Sequence, residues 1–309
     1  MTTDSPARPA TWLEVALNGP WSPKQQPLAP VAAEAIIEEG VACAEAGAAI
    51  LHVHARDPET GRQRDDADLY APIIEGIRAR CDAIVYPTFA LAGASGDPSD
   101  PADGSGDGRQ RFAAVDALAR RGLCEWMGVD PGSVNFALDR QVAEDRPGFV
   151  YLNPETHVRA GLAVAAEHGL HPGYAIYEPG FLRLGAALAA RLPAAPQAIY
   201  RFMFSDGFLF GFPPAPYALD AYLALLADAA PAAPWMVAGL TVDVGPLIGQ
   251  TVERGGHVRV GLEDAPLGSD LSNLDWTRRA TRAIEAAGGR VAAPADVRTA
   301  LKGEGVGDA

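Results

Sequence analysis

What this 309-residue chain lacks narrows its function before any motif is read. It has three cysteines, Cys43, Cys81 and Cys124, an odd number with no CxxC spacing. That argues against a disulfide framework or a structural zinc cluster, and a reducing cytoplasm is the expected compartment. An excess of positive charge is missing too. There are 25 Lys and Arg against 39 Asp and Glu, a formal charge of −14, which speaks against non-specific binding to nucleic acid or an anionic membrane. No apolar run approaches the ~20 residues of a spanning helix, and the opening MTTDSPARPATW has no apolar core of a signal peptide. No glycine-rich phosphate fingerprint occurs either. With 48% hydrophobic and 21% charged residues, the composition is that of a globular protein with ample core.

What is present is alternation. Short apolar runs precede amphipathic stretches eight times along the chain. The runs are 12–18, 48–55, 82–88, 124–130, 173–179, 197–204, 234–240 and 257–264, and the helical stretches between and after them are about 30–46, 66–80, 109–121, 155–169, 181–192, 216–229, 244–255 and 272–287. Strand–helix alternation implies a parallel sheet, and eight units in this length imply an α/β fold of the (β/α)8 TIM-barrel type, with a doubly wound open sheet as the other solution. One domain over residues 1–309 is expected, with 1–10 and 302–309 as frayed tails. The stretch at 92–109, rich in Gly, Asp, Ser and Pro, is either a mobile active-site loop or a solvated insertion.

In a barrel, chemistry gathers at the C-terminal ends of strands. His52 and His54 stand at the end of the second strand, two apart and therefore on one face. They are either two individually satisfied core residues or two ligands of one ion. Glu263 and Asp264 follow the eighth strand, where a carboxylate can cross the barrel mouth and supply a third ligand. Two imidazoles and a carboxylate suit zinc with one open position, and copper or nickel would accept the same set. Arg259 precedes Glu263 by four residues on the same strand. It either bridges to a carboxylate in a polar barrel layer or forms a dyad with Asp264 that orients a proton acceptor. Thr88, Ser133 and Asn135, at or just after strand ends, are either turn residues or substrate contacts.

The motifs VALNGP, HVHARDPETG, VYPT, GSVNFA, NPETHVRAG, YEPGF and GGHVRVGLED…SN…GGRVAAPADVR occur in that order, from about residue 12 to 301. Together they resemble the β-keto acid cleavage enzymes, the family of 3-keto-5-aminohexanoate cleavage enzyme. The resemblance implies a zinc-bearing barrel that converts a β-keto acid and acetyl-CoA into acetoacetate and a new acyl-CoA by a retro-Claisen route. It implies zinc ligands His52, His54 and Glu263, a catalytic Arg259–Asp264 dyad with Thr88, and a substrate contact at Ser133. A homo-oligomer, tetrameric in the family, is implied as well, with no nucleic-acid or membrane partner.

Two positions depart from the family pattern. Trp21 stands where the type member has a glutamate that meets the substrate amino group, and an indole there either stacks on a cation or walls off an apolar pocket. Gly173 and Ala175 stand where strand five usually carries two acids, with Glu178 as the possible substitute. Two other functions compete: a metal-dependent barrel hydrolase, and a non-catalytic barrel that binds a keto acid or acyl-CoA. The hydrolase reading is weakened by the lack of histidines at later strand ends. His168, His171 and His257 lie elsewhere, and His157 reads as a cap or substrate contact.

Overall fold

The computed structural model describes residues 10–92, 103–192 and 195–302. The tails expected at 1–10 and 302–309 lie outside these residues but for positions 10 and 302, as does the 92–109 stretch between 93 and 102.

Eight parallel strands form one sheet. They are β1 (Leu13–Ala16), β2 (Ile50–Val53), β3 (Ile84–Pro87), β4 (Trp126–Gly128), β5 (His171–Ile176), β6 (Ile199–Phe204), β7 (Trp235–Gly239) and β8 (His257–Val260). Their order across the sheet is β3-β2-β1-β8-β7-β6-β5-β4. The two edges, β3 and β4, come to lie side by side, so the sheet curls into a nearly closed barrel with helices outside it. This is the TIM barrel expected from the alternation, and structural neighbours described below share it.

Strand alternation explains both faces. Leu13, Val15, Leu51, Val53, Val85, Phe202, Val237, Val258 and Val260 point outward and join the helices in the main apolar core. Each large apolar side chain buried there contributes roughly 1.5–3 kcal/mol. The inward residues sort by height. Ile50, Ile84, Trp126, Ile199 and Met236 fill the lower barrel, with Trp12 beneath them. Glu14, His52, Tyr86, Arg201 and Arg259 make a polar middle layer. Phe136, Ala175, Met203, Phe210, Ala238 and Leu240 form an apolar upper layer.

Connecting helices carry their start signals in sequence. Asp66 caps Ala67–Arg78 by accepting from the Asp68 amide at 2.9 Å, and Ser272 with Asp275 forms a capping box on Asn273–Ala286. Two features were not read from the sequence. After β4 an antiparallel ribbon, Val134–Phe136 with Phe149–Tyr151, projects from the barrel around a short helix, Asp139–Ala143. A final helix, Pro294–Lys302, lies near the lower end, where Val297 and Leu301 join the Trp12 cluster.

His257 belongs to that lower end. Its ring stacks on Trp12 at 3.9 Å, and its Nδ1 accepts the Trp12 backbone N–H at 3.1 Å. Burial pushes its pKa down from the usual 6.5 to about 3. The folded form therefore refuses a proton that the unfolded chain accepts. The stability this costs is absent above pH 6.5 and grows as pH falls toward 3, at up to about 1.4 kcal/mol per pH unit. In chemical unfolding followed across that range, His257→Gln is expected to remove this slope. An unchanged slope would show that other groups govern acid sensitivity.

Candidate active site

The cavity at the C-terminal ends of the strands has a volume of about 340 Å3 and is lined in part by His52, His54, Thr88, Arg201, Arg259 and Glu263. Three side chains converge on its floor. His52 Nε2 and His54 Nε2 are 3.1 Å apart, and Glu263 Oε2 lies 3.4 and 3.3 Å from them. Parallel pairing places His52 beside Ala16 of β1 and Tyr86 of β3. Glu263 arrives from the β8 loop. Gly19, at φ +56°, leaves it space, because a Cβ there would stand 2.5 Å from Glu263 Cγ.

Neighbouring groups fix what these three atoms can do. Gln63 donates its amide to both Asp65 oxygens at 3.0 Å, and Tyr70 donates its hydroxyl to the same carboxylate at 2.9 Å. The Gln63 Oε1 therefore faces His54 Nδ1 at 2.8 Å as an acceptor. In the neutral ring, that acceptor places the His54 proton on Nδ1 and leaves a lone pair on Nε2. Burial drives the His52 pKa well below its usual value, so that ring is neutral. Burial works against the Glu263 carboxylate, yet its pKa is held well below the usual range. The groups that hold it there are the His52 and His54 imidazoles and then the Arg259 guanidinium, 3.1 Å away. Glu263 Oε2 is buried and has no hydrogen-bond partner among the described residues. Two imidazole nitrogens and an orphaned carboxylate oxygen, all within 4.8 Å of one another, fit a divalent cation and fit nothing in an apolar core.

Arg259 ties this trio to the rest of the layer. Its Nε and Nη2 each donate to an Asp264 oxygen at 2.8 Å, and Nη1 donates to Glu14 at 3.0 Å. Burial pushes the Asp264 pKa up to about 6, against the pull of the Arg259 fork. Asp264 sits behind Arg259 and is not among the residues on the cavity wall. Glu14, fully buried, also accepts from Arg201 at 3.2 Å and from the Tyr86 hydroxyl. Arg201 donates to the Gly173 carbonyl at 2.7 Å, and a Cβ on residue 173 would stand only 2.7 Å from its Nη2. The absence of a side chain on Gly173 is thus what admits the Arg201 guanidinium.

Above this layer the cavity turns aromatic. Phe136 lies at the centre, with ring centroids of Tyr151, Tyr177 and Phe208 at 5.2, 5.1 and 5.3 Å. Trp21 closes one side, its indole N–H donating 2.7 Å to the Glu263 carbonyl. Arg56, the arginine of HxHxR, holds that loop by donating to the Gly19 and Trp21 carbonyls. Beside Ala175 lies Asp130, which follows β4. Its Oδ1 accepts the Ala175 N–H at 3.2 Å and its Oδ2 the Tyr151 hydroxyl at 2.6 Å.

The sequence-derived candidates divide accordingly. His52, His54, Glu263, Arg259, Thr88 and Trp21 meet at the cavity. Ser133 and Asn135 do not line it. Both are exposed; Ser133 Oγ accepts the Asn153 amide at 2.8 Å, and Asn135 pairs with Val150 in the ribbon. Glu178 accepts the Gly211 amide at 3.1 Å away from the cavity wall. His157 is buried and meets the Gly106 carbonyl at 3.1 Å, anchoring the end of the long loop. Sequence reasoning missed Glu14, Arg201 and Asp130. For the first two a signal existed: each is a lone charge inside an otherwise apolar strand.

Comparisons with known proteins give the family and the fold. The model of a family described as beta-keto acid cleavage enzyme matches residues 10–302. The chain is 28% identical over 284 residues to a 3-dehydrocarnitine:acetyl-CoA trimethylamine transferase of Rhizobium meliloti (strain 1021), covering 88% of this chain and 89% of that one. It is 25% identical over 285 residues to the 3-keto-5-aminohexanoate cleavage enzyme of Fusobacterium nucleatum subsp. nucleatum, covering 90% and 92% of the two chains. Among solved structures, the ternary complex of ObcA with a C4-CoA adduct and oxalate superposes with a TM-score of 0.67 at 15% identity, over 89% of this chain and 68% of that one. At that identity the likeness concerns the barrel alone.

Proposed function

From the premise that this chain belongs to the β-keto acid cleavage enzyme family, we propose that it is a zinc-dependent acyltransferase converting a β-keto acid and acetyl-CoA into acetoacetate and a new acyl-CoA by a retro-Claisen route. The observation that carries the metal-dependent part is the convergence of His52 Nε2, His54 Nε2 and the orphaned Glu263 Oε2 on the cavity floor. Relatives named as acetyl-CoA transferases support acetyl-CoA as the co-substrate. No helix among the described residues is long and apolar enough to cross a membrane.

His52, His54 and Glu263 would hold the ion, which when bound supplies Lewis-acid polarisation of the keto and carboxylate oxygens. The chain's own groups do the rest. Each Asp264 oxygen accepts one Arg259 hydrogen bond and keeps a second lone pair; because Asp264 stands behind Arg259 and off the cavity wall, the Arg259 fork must swing aside for it to receive the proton leaving the α-carbon. Arg259 remains beside Glu263 and balances the negative charge that develops there. Thr88, at the end of β3 on the cavity wall, holds a substrate oxygen through its hydroxyl. The apolar upper wall excludes water that would hydrolyse the thioester.

Proton removal can be isolated from carbon–carbon chemistry. With acetyl-CoA withheld, the zinc-loaded protein is expected to exchange the α-hydrogens of a bound β-keto acid with deuterium oxide faster than the free acid does. Asp264→Asn is expected to slow that exchange by about 10²–10⁴-fold. If it exchanges as fast as the unaltered protein, Asp264 merely positions Arg259 and another group takes the proton.

A further inference from the structure

Arg201 is buried in the polar middle layer of the barrel and lines the cavity, yet no step of the proposed reaction uses it. Its Nη1 donates to Glu14 at 3.2 Å and to the Tyr86 hydroxyl, and its Nη2 donates to the Gly173 carbonyl at 2.7 Å. Its Nε is buried and has no hydrogen-bond partner among the described residues. Arg259, the other arginine of the cavity wall, is engaged by Glu14, Glu263 and Asp264. An ion pair with Glu14 explains why a charge is tolerated at Arg201. It does not explain a fixed, buried guanidinium that keeps one N–H without an acceptor, a cost that packing alone does not repay.

The place of Arg201 in the ring says what meets it. Its strand, β6, lies across the eight-stranded ring from β2, which carries His52. The oxygens of the keto acid belong at the floor of His52, His54 and Glu263, on the β2 and β8 side. The α-carbon is then open toward the opposite wall, and the thioester carbonyl of acetyl-CoA enters between that carbon and β6. As the α-carbanion forms its bond to the thioester carbon, the carbonyl π pair moves onto the oxygen. The oxyanion returns that pair when the carbon–sulfur bond breaks, and CoA leaves as the thiolate. The floor, Arg259 and Thr88 serve the keto acid, which leaves this second oxygen without a donor.

Resting on the reading of this cavity as a site for a β-keto acid and acetyl-CoA, we propose that Arg201 is a catalytic residue whose Nε–H holds the thioester carbonyl oxygen and stabilises the oxyanion formed there. Gly173 is part of the arrangement, because a Cβ there would stand 2.7 Å from Arg201 Nη2 and push the guanidinium aside. Met203, the next inward residue of β6, and Ala175 give the acetyl methyl an apolar wall.

Two variants test this by different routes: Arg201→Met removes the guanidinium, and Gly173→Ala displaces it with its charge intact. Acyl transfer at saturating substrates is expected to fall at least about 10²-fold in Arg201→Met, the size of losing one oxyanion donor, and by a smaller factor in Gly173→Ala. Exchange of the keto acid's α-hydrogens in deuterium oxide, with acetyl-CoA withheld, is expected to stay within about threefold in both. The third readout needs no turnover. Isotope-edited infrared spectra of bound acetyl-CoA, carrying carbon-13 at the thioester carbonyl, are expected to show that stretch at lower frequency in the unaltered protein than in either variant. An unmoved band overturns the assignment, and so does transfer that survives loss of the guanidinium. Exchange that falls as far as transfer places Arg201 on the keto acid and overturns it as well. If Arg201→Met does not fold, the band position in Gly173→Ala decides. A band shift that depends on Arg201, in a protein that performs no acyl transfer, upholds the carbonyl contact and sinks the acyl-transfer reading. Transfer without any band difference does the reverse.

Discussion

Replacing His52 by alanine is expected to abolish stoichiometric zinc binding and to lower β-keto acid turnover by at least about 10³-fold, the several kcal/mol a Lewis acid contributes at the reacting oxygens. The size of the effect follows from how the floor is built. His54 is fixed by its Nδ1 contact with Gln63, which is fixed in turn by Asp65. Glu263 is held on one oxygen by Arg259 and left open on the other. His52 Nε2 completes the group of three ligand atoms, so its loss leaves two donors where a tight site needs three. Metal analysis after gel filtration, with activity measured before and after added zinc, separates two outcomes. Restoration of the unaltered protein but not of His52→Ala upholds the site. An active, metal-free His52→Ala would return both histidines to the status of packed core residues.

Glu14→Gln is expected to cost about 3–5 kcal/mol of stability, the penalty for leaving buried charge unpaired. Glu14 is the acceptor on which Arg201, Arg259 and the Tyr86 hydroxyl all close, and register sets it directly across from Arg259. Glutamine keeps the shape and loses the charge, so two guanidinium groups remain in the barrel centre facing fewer acids. Replacing Glu14 and Arg201 together by methionine is expected to be less destabilising than Glu14→Met alone, giving a positive coupling in a double-mutant cycle read by denaturant unfolding. Additive losses would mean that the two residues do not act as a pair. Because Arg259 also holds Glu263, the same change is expected to weaken metal binding, which links the stability of the layer to the site above it.

Most of the barrel was legible because its signals are local. Alternating apolar strands and capped helices each reveal themselves within about ten residues, and His52 with His54 shares one strand. The Arg259, Glu263 and Asp264 group is legible for the same reason, being confined to one strand and its turn. What escaped was what only closure creates. Glu14 and Arg201 are 187 residues apart and meet across the barrel axis. Each was visible as a charge in LEVA or IYRFMF, yet neither strand alone says which partner awaits it. The ribbon at 134–136 and 149–151 has strands of three residues, too short for an alternation to register. Its position decides the outer cavity: it turns Phe136 and Tyr151 inward and leaves Ser133 and Asn135 outside. The departure at strand five has the same origin. Gly173 and Ala175 read as lost acids along the chain, while in space Arg201 occupies the room Gly173 leaves and Asp130 lies against Ala175.

The central claim, carbon–carbon cleavage coupled to acyl exchange, is tested most directly by following label. Zinc-loaded protein is incubated with a β-keto acid and acetyl-CoA carrying carbon-13 in both acetyl carbons, and the products are resolved by mass. The account predicts acetoacetate and a new acyl-CoA in equal amounts, with the label wholly in acetoacetate and the acyl chain of the keto acid wholly on CoA. Labelled acetate with free CoA, or consumption of the keto acid in the absence of acetyl-CoA, would contradict it.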